Sequence, residues 1–209
     1  TLSWSQIAAG GNWVVAIQYG TNRAYAWGYN LYGNLGDGTI SDRSAPKSVS
    51  TTLSWSKVAC SDVCSFGIQY GTGLAYGWGY NGYGGLGDNS TTNRSVPTSV
   101  SSTISWSDII PGAAYTIGIQ GGTGLAYAWG KNDYGQLGDN TMTSCSTPVS
   151  VSSTISWKQI TCVANSWGVL GINGENERLY YWGTNGYGEL NSMLVQVDVP
   201  QLMPILPGL

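Results

Sequence analysis

Apolar residues in this chain fall in short runs divided by stretches rich in glycine, asparagine and serine. The first unit reads SWSQIAA (3–9), WVVAIQY (13–19), AYAWG (24–28) and the residues around PKSV (46–49). β-Branched and aromatic residues fill the runs and turn formers separate them, which predicts four short strands. No stretch holds a helical period over a dozen residues. The set of runs then returns. Trp4, Trp55, Trp106 and Trp157 stand 51 residues apart, in LSWSQI, LSWSKV, ISWSDI and ISWKQI. Trp27, Trp78 and Trp129 keep the same spacing. Trp182 falls two residues late, and the slip lies before Ile172, between the first two runs of the last copy. Four such units predict an all-β chain, a β-propeller-like array of four four-stranded blades. The expected blades are 1–52, 53–103, 104–154 and 155–203, with an apolar C-terminal tail at 204–209.

The loop after the third run repeats most closely. It reads AYAWGYNLYGNLGDG (24–38), AYGWGYNGYGGLGDN (75–89), AYAWGKNDYGQLGDN (126–140) and, more worn, LYYWGTNGYGELNSM (179–193). Gly28, Gly33 and Gly36 suit positive φ or close backbone approach. Asn30, Asn81, Asn132 and Asn185 hold one position, where a carboxamide can bond the backbone of the turn. Leu35, Leu86, Leu137 and Leu190 are expected to plug between blades. Asp37, Asp88 and Asp139 open a turn whose amides a carboxylate can cap. The fixed W-G, N, Y-G and L-G positions therefore read as structural.

These loops, each followed by a proline near 46, 97, 148 or 200, resemble the repeat of the regulator of chromosome condensation family. The resemblance recurs four times and covers nearly the whole chain. It implies a β-propeller, usually of seven blades. Among the functions it implies are guanine-nucleotide exchange, inhibition of β-lactamase by secreted proteins, and structural roles in bacteria and phage. Two departures stand out. The family often carries histidine in a G-x-x-H pattern at the second strand, where this chain has Trp13, Cys64, Tyr115 and Trp167. It also has four units, which at a seven-fold angle cover just over half a ring.

Composition narrows the chemistry. The chain has 209 residues, 9% of them charged, and a net charge of −3. It has no basic stripe for nucleic acid and no apolar run long enough for membrane insertion. With no histidine, Ser-His-Asp and Cys-His nucleophile systems are excluded. Glu175 and Glu177 read as a solvated hairpin tip rather than a glycosidase pair. G-Y-G-G-L-G (82–87) recurs as a turn and lacks the helix of a dinucleotide site. Asp37 with Asp42 offers two carboxylates, but the loop after Asp88 offers one, so turn capping is favoured over calcium. No enzyme activity, cofactor or metal is expected. Cys60 and Cys162 end the first strand of their copies, where Ala9 and Pro111 stand in the others. They read as small buried positions near the axis, and a Cys60–Cys64 disulfide across the hairpin is the alternative.

The candidate contact face comprises the first hairpin tips and the loops at 29–45, 80–96, 131–147 and 184–199. Trp13, Tyr115 and Trp167 are read either as core or as a contact ring about the axis, with Tyr29, Tyr80 and Lys131 farther out. The four blades are expected either to close as a tight ring or to meet a neighbouring chain or a continuation of this one, with Leu202, Met203, Ile205 and Leu206 buried in that contact. The expected function is a non-enzymatic structural or binding module, extracellular or on a virion surface, contacting a protein or glycan. A secreted inhibitor of an extracellular enzyme and a nucleotide-exchange factor are the alternatives. The latter would want a wedge-like insertion that these units lack.

Overall fold

The computed structural model describes residues 3–50, 52–163, 167–184 and 196–203, the last segment with side chains from 199 onward. Its first sheet holds β1 (Trp4–Ala9), β2 (Trp13–Gln18), β3 (Ala24–Gly28) and β4 (Arg43–Ser48). The second holds β5 (Trp55–Cys60), β6 (Cys64–Gln69), β7 (Ala75–Gly79) and β8 (Arg94–Ser99). The third holds β9 (Trp106–Pro111), β10 (Tyr115–Gln120), β11 (Ala126–Gly130) and β12 (Cys145–Ser150). The fourth holds β13 (Trp157–Cys162), β14 (Gly168–Asn173), β15 (Leu179–Thr184) and β16 (Gln196–Leu202). Each is an antiparallel meander in chain order. Pro46, Pro97, Pro148 and Pro200 all lie on the last strand of their sheet, the edge position that tolerates a missing N–H.

The W-x-x-[IV] signature of the first strand has a mechanical cause. Strict alternation would send residues three apart to opposite faces. The register with the second strand slips by one after each tryptophan, at Ser5, Ser56, Ser107 and Lys158. Such a bulge re-phases the strand, so Trp55 and Val58 face the same core. The bulged serine hydroxyl donates to the carbonyl opposite, Ser5 to Ile17 (3.2 Å), Ser56 to Ile68 and Ser107 to Ile119 (both 3.1 Å).

Burial is concentrated between blades. One cluster joins Trp13, Val15, Leu35 and Val49 of the first blade to Trp55, Val58 and Trp78 of the second. The next joins Phe66 and Leu86 to Trp106, Ile109 and Trp129. The third joins Ile117 and Leu137 to Trp157, Ile160 and Trp182. A hydrogen bond crosses each seam. Trp78 Nε1 donates to the Asn34 carbonyl (2.9 Å), Trp129 to Gly85 (2.9 Å) and Trp182 to Gln136 (3.1 Å). The expected plugs Leu35, Leu86 and Leu137 are fully buried, while Leu190 lies outside the described residues. Among the described residues, four blades share three clusters, so the array is open. Its first face shows this directly: Ile7 is 64% exposed, whereas its counterparts Val58, Ile109 and Ile160 are 4–5% exposed.

Candidate functional site: an aromatic ladder on the loop face

Trp13 pairs with Gly28, Cys64 with Gly79 and Tyr115 with Gly130. The first hairpin tip and the loop after the third strand therefore leave each of these blades at the same end. Buried asparagines hold those loops. Asn81 Nδ2 donates to the Ser90 and Thr92 carbonyls (both 3.1 Å), and its Oδ1 accepts from the Leu86 amide (2.9 Å). Asn30 and Asn132 repeat the pattern. The carboxylates brace the same turn. Asp37 Oδ2 accepts from Arg43 Nε at 2.7 Å and Asp88 Oδ2 from Arg94 Nε at 2.6 Å. Asp42 caps the Asn30 amide instead of converging on a cation site. The third loop has Cys145 where the others have arginine.

Burial of Asp88 works to raise its pKa, but the Arg94 and Ser90 hydrogen bonds outweigh it and leave the carboxyl below its ordinary value. A depressed native pKa contributes stability above the unfolded value near 4, and that contribution is lost as pH falls through the native value. Arg94→Gln is therefore expected to cost about 1–2 kcal/mol at pH 7, and less near pH 2. Denaturant unfolding at the two values checks this, and an equal cost at both would contradict it.

With the loops fixed from within, their rings point outward and join across blades. Tyr29 lies 6.5 Å from Tyr32, Tyr32 lies 5.2 Å from Tyr80 of the next blade, and Tyr80 lies 6.4 Å from Tyr83. The Lys131 ammonium continues the line, 5.0 Å from the Tyr83 ring centre and 4.8 Å from that of Trp167. Trp167 stacks on Tyr134 at 5.9 Å. Tyr32, Tyr83 and Tyr134 are 37–45% exposed, and Leu31, Ile40 and Met142 add exposed apolar groups from the same loops.

Four of the six expected contact residues, Tyr29, Tyr80, Lys131 and Trp167, thus belong to this ladder and are half-buried. The other two are corrected. Trp13 and Tyr115 are core: Trp13 Nε1 donates to Ser65 Oγ of the next blade (2.8 Å), and Tyr115 Oη donates to the Gly168 carbonyl (3.2 Å). Burial, with the Cys162 thiol beside it, pushes the Tyr115 phenol up. Trp167 is not their counterpart, because Gly168 occupies that register opposite Gly183. The two-residue slip is absorbed ahead of β14 and leaves Trp167 half-buried, packed against the third cluster with its ring 6.3 Å from that of Tyr115. Tyr32, Tyr83 and Tyr134 lie within the expected contact loops, but the fixed Y-G reads as structural, so the sequence does not single them out. All four cysteines are free, and burial pushes the thiols of Cys60, Cys64 and Cys162 up to about 11, 12 and 12. In the tail, Leu202 is exposed and Met203 half-buried, while Ile205 and Leu206 lie outside the described residues.

The family model described as the regulator of chromosome condensation (RCC1) repeat matches residues 21–68, 72–119 and 123–170. The chain belongs to the RCC1 repeat family. Each RCC1 match begins in the hairpin before a third strand and ends in or beside the second strand of the following blade. The family's unit therefore straddles a seam, and three matches correspond to three buried clusters. The ultraviolet-B receptor UVR8 of Arabidopsis thaliana is 31% identical over 88% of this chain and 42% of its own length. The human E3 ubiquitin-protein ligase HERC2 is 25% identical over 97% of this chain and 4% of its own. The chain thus spans less than half of these relatives. Human WBSCR16 superposes with a TM-score of 0.82 at 20% identity, over 97% of this chain and 52% of that one. Yeast RCC1 (Prp20), solved with Kap60 bound, gives 0.77 at 19%, over 97% and 49%. At that identity the two structures attest the RCC1 propeller fold alone.

Proposed function

We propose that this chain is a binding module that holds a protein partner on the aromatic ladder and performs no chemistry on it. The carrying observation is the ladder of rings from Tyr29 to Trp167 across four blades, with Tyr32, Tyr83 and Tyr134 exposed and Tyr29, Tyr80 and Trp167 half-buried, its first three loops fixed by buried Asn30, Asn81 and Asn132 independently of those rings. Tyrosine and tryptophan bury large area with few rotatable bonds, which is why they dominate binding hot spots. A rigid display loses little entropy on docking. Yeast Prp20, which shares the fold, is solved with a protein, Kap60, bound to it. Binding without turnover fits the groups present. Asp37 and Asp88 are bonded to arginine and held ionised, and the three perturbed thiols are held protonated. Among the described residues no three of Cys, Asp or Glu converge as a metal site would require. The expected surface setting, on a virion or a cell, is part of the proposal, and its support is the low charge alone.

The test is a triple variant, Tyr32→Ala with Tyr83→Ala and Trp167→Ala. Proteins cross-linked to the wild-type chain in its native source are identified, and their affinities for both forms are measured. The triple variant is expected to bind at least 100-fold more weakly with its circular dichroism unchanged. Unchanged affinity would refute the ladder as the contact. Ladder-dependent binding to a glycan array, with no protein captured, would replace the protein partner by a carbohydrate.

A further inference from the structure

The chain already holds one cation on its own ladder. The Lys131 ammonium lies 5.0 Å from the Tyr83 ring centre and 4.8 Å from that of Trp167, with Asp133 Oδ2 3.3 Å away. Two rings and one carboxylate serve that charge, and the lysine side chain is only 18% exposed. Aromatic faces attract lysine and, more often, arginine through their quadrupole. In the blade before, the place of Lys131 is taken by Tyr80. There the ladder consists of rings alone, Tyr32 to Tyr80 at 5.2 Å and Tyr80 to Tyr83 at 6.4 Å.

Carboxylates stand beside those rings too, without a cation. Along the first three loops the described basic groups are committed: Arg43 to Asp37, Arg94 to Asp88 and Lys131 to Asp133. Asp42 and Asp62 are exposed and take part in none of the described ion pairs. Asp42 Oδ1 accepts from the amide of Asn30, the residue after Tyr29 (2.8 Å). Asp62 precedes Val63, whose carbonyl accepts from the Tyr80 amide (3.1 Å). Given that the ladder is the contact surface, we propose that its partner is a basic protein segment, which lays arginine or lysine side chains against Tyr32, Tyr80 and Tyr83 between Asp42 and Asp62. An acidic segment would be repelled there. A neutral one would strip water from the two carboxylates and return nothing. A basic one matches rings and acids together.

The repeat shows that the charge of Asp42 is not needed by its own loop. The same cap is made by Asn93 in the second blade, whose Oδ1 accepts from the Asn81 amide at 2.8 Å. In the third it is made by Ser144, whose Oγ accepts from the Asn132 amide at 3.1 Å. Exchanging aspartate and asparagine between the first two loops therefore moves a charge along the ladder and leaves both turns braced.

Fluorescence anisotropy on the full chain tests this with a labelled peptide of about a dozen residues that alternates arginine with serine and glycine. The wild-type chain is expected to bind it, and to ignore the same peptide with glutamate for arginine. Asp42→Asn should weaken binding about 2–5-fold, the range of a surface ion pair, and Asn93→Asp should strengthen it by a similar factor. Circular dichroism should be unchanged in both. Tyr32→Ala with Tyr83→Ala should weaken it about 10-fold or more. An arginine peptide that fails to bind at about millimolar concentration would overturn the inference. So would equal binding of the two peptides, indifference to both charge exchanges, or full binding by the double tyrosine variant. Whether the ladder is the contact at all is judged separately, by the triple variant against the native partner.

Discussion

Trp129→Ala is expected to cost about 3–5 kcal/mol of unfolding free energy, and Trp27→Ala less than half as much. The two residues hold the same place in the repeat and differ in what lies beyond them. Trp129 is fully buried between the second and third blades, with its indole bonded to the Gly85 carbonyl. Its removal leaves a large cavity and takes one of two hydrogen bonds from the Gly85 carbonyl, which keeps the bond from Thr116 Oγ1. Trp27 lies on the open face, half-buried, and packs mainly on Trp4 and its own sheet. Urea unfolding followed by far-ultraviolet circular dichroism, at concentrations where the chain is monomeric, measures both. Equal losses would contradict an open array.

Gly87→Ala should be nearly as damaging, at about 2–5 kcal/mol. Gly87 has φ +74°, and an added Cβ would lie 2.7 Å from Trp129 Nε1 and 2.9 Å from Val100 Cγ1. Backbone strain at a left-handed residue costs about 1–3 kcal/mol, and overfilling a packed seam costs a similar amount. Gly71 separates the two contributions. It has φ +83° with no atom within 4 Å of the added Cβ, so Gly71→Ala carries the backbone cost alone, about 1–2 kcal/mol. If the two variants unfolded at the same urea concentration, the clash at the seam would be absent.

The blade architecture was legible because it is written four times. Repetition exposed the strands, the buried leucines and the asparagine-braced loops without any long-range inference. Two kinds of position misled for opposite reasons. Trp13, Cys64 and Tyr115 vary between copies, and variation alone leaves Trp13 and Tyr115 open between core and contact. They vary because each seam solves its own packing problem. An added Cβ at Gly10 would lie 2.5 Å from the Trp13 ring and one at Gly112 2.6 Å from the Tyr115 ring, while the small Cys64 is preceded by Ser61, whose hydroxyl contacts the thiol at 3.2 Å. The pairing of glycine with a large ring three residues on, against serine with cysteine, was the available signal. Tyr32, Tyr83 and Tyr134 do not vary, and constancy was taken for burial. A residue that repeats on every blade can equally be a surface displayed at regular intervals. Trp167 stands one residue off its expected register because the apolar pattern places the two-residue slip only between the first two runs of the last copy.

The location of the buried clusters has a consequence for how such chains change in length. Each cluster is built from the trailing face of one unit and the leading face of the next, and none spans three. Excision of a whole 51-residue block would bring Leu35 and Val49 against Trp106, Ile109 and Trp129, which match Trp55, Val58 and Trp78 except for isoleucine in place of valine. A tandem duplication would likewise set a trailing face against a leading face of the same kind as those packed at the three seams. Gain or loss of intact units thus keeps each tryptophan opposite a partner of its own kind and leaves the variable position of the seam (Trp13, Cys64 or Tyr115) to be repacked, whereas a cut at any other spacing strands a tryptophan opposite the wrong partner. The near-identity of the internal copies is what that tolerance leaves behind in a sequence.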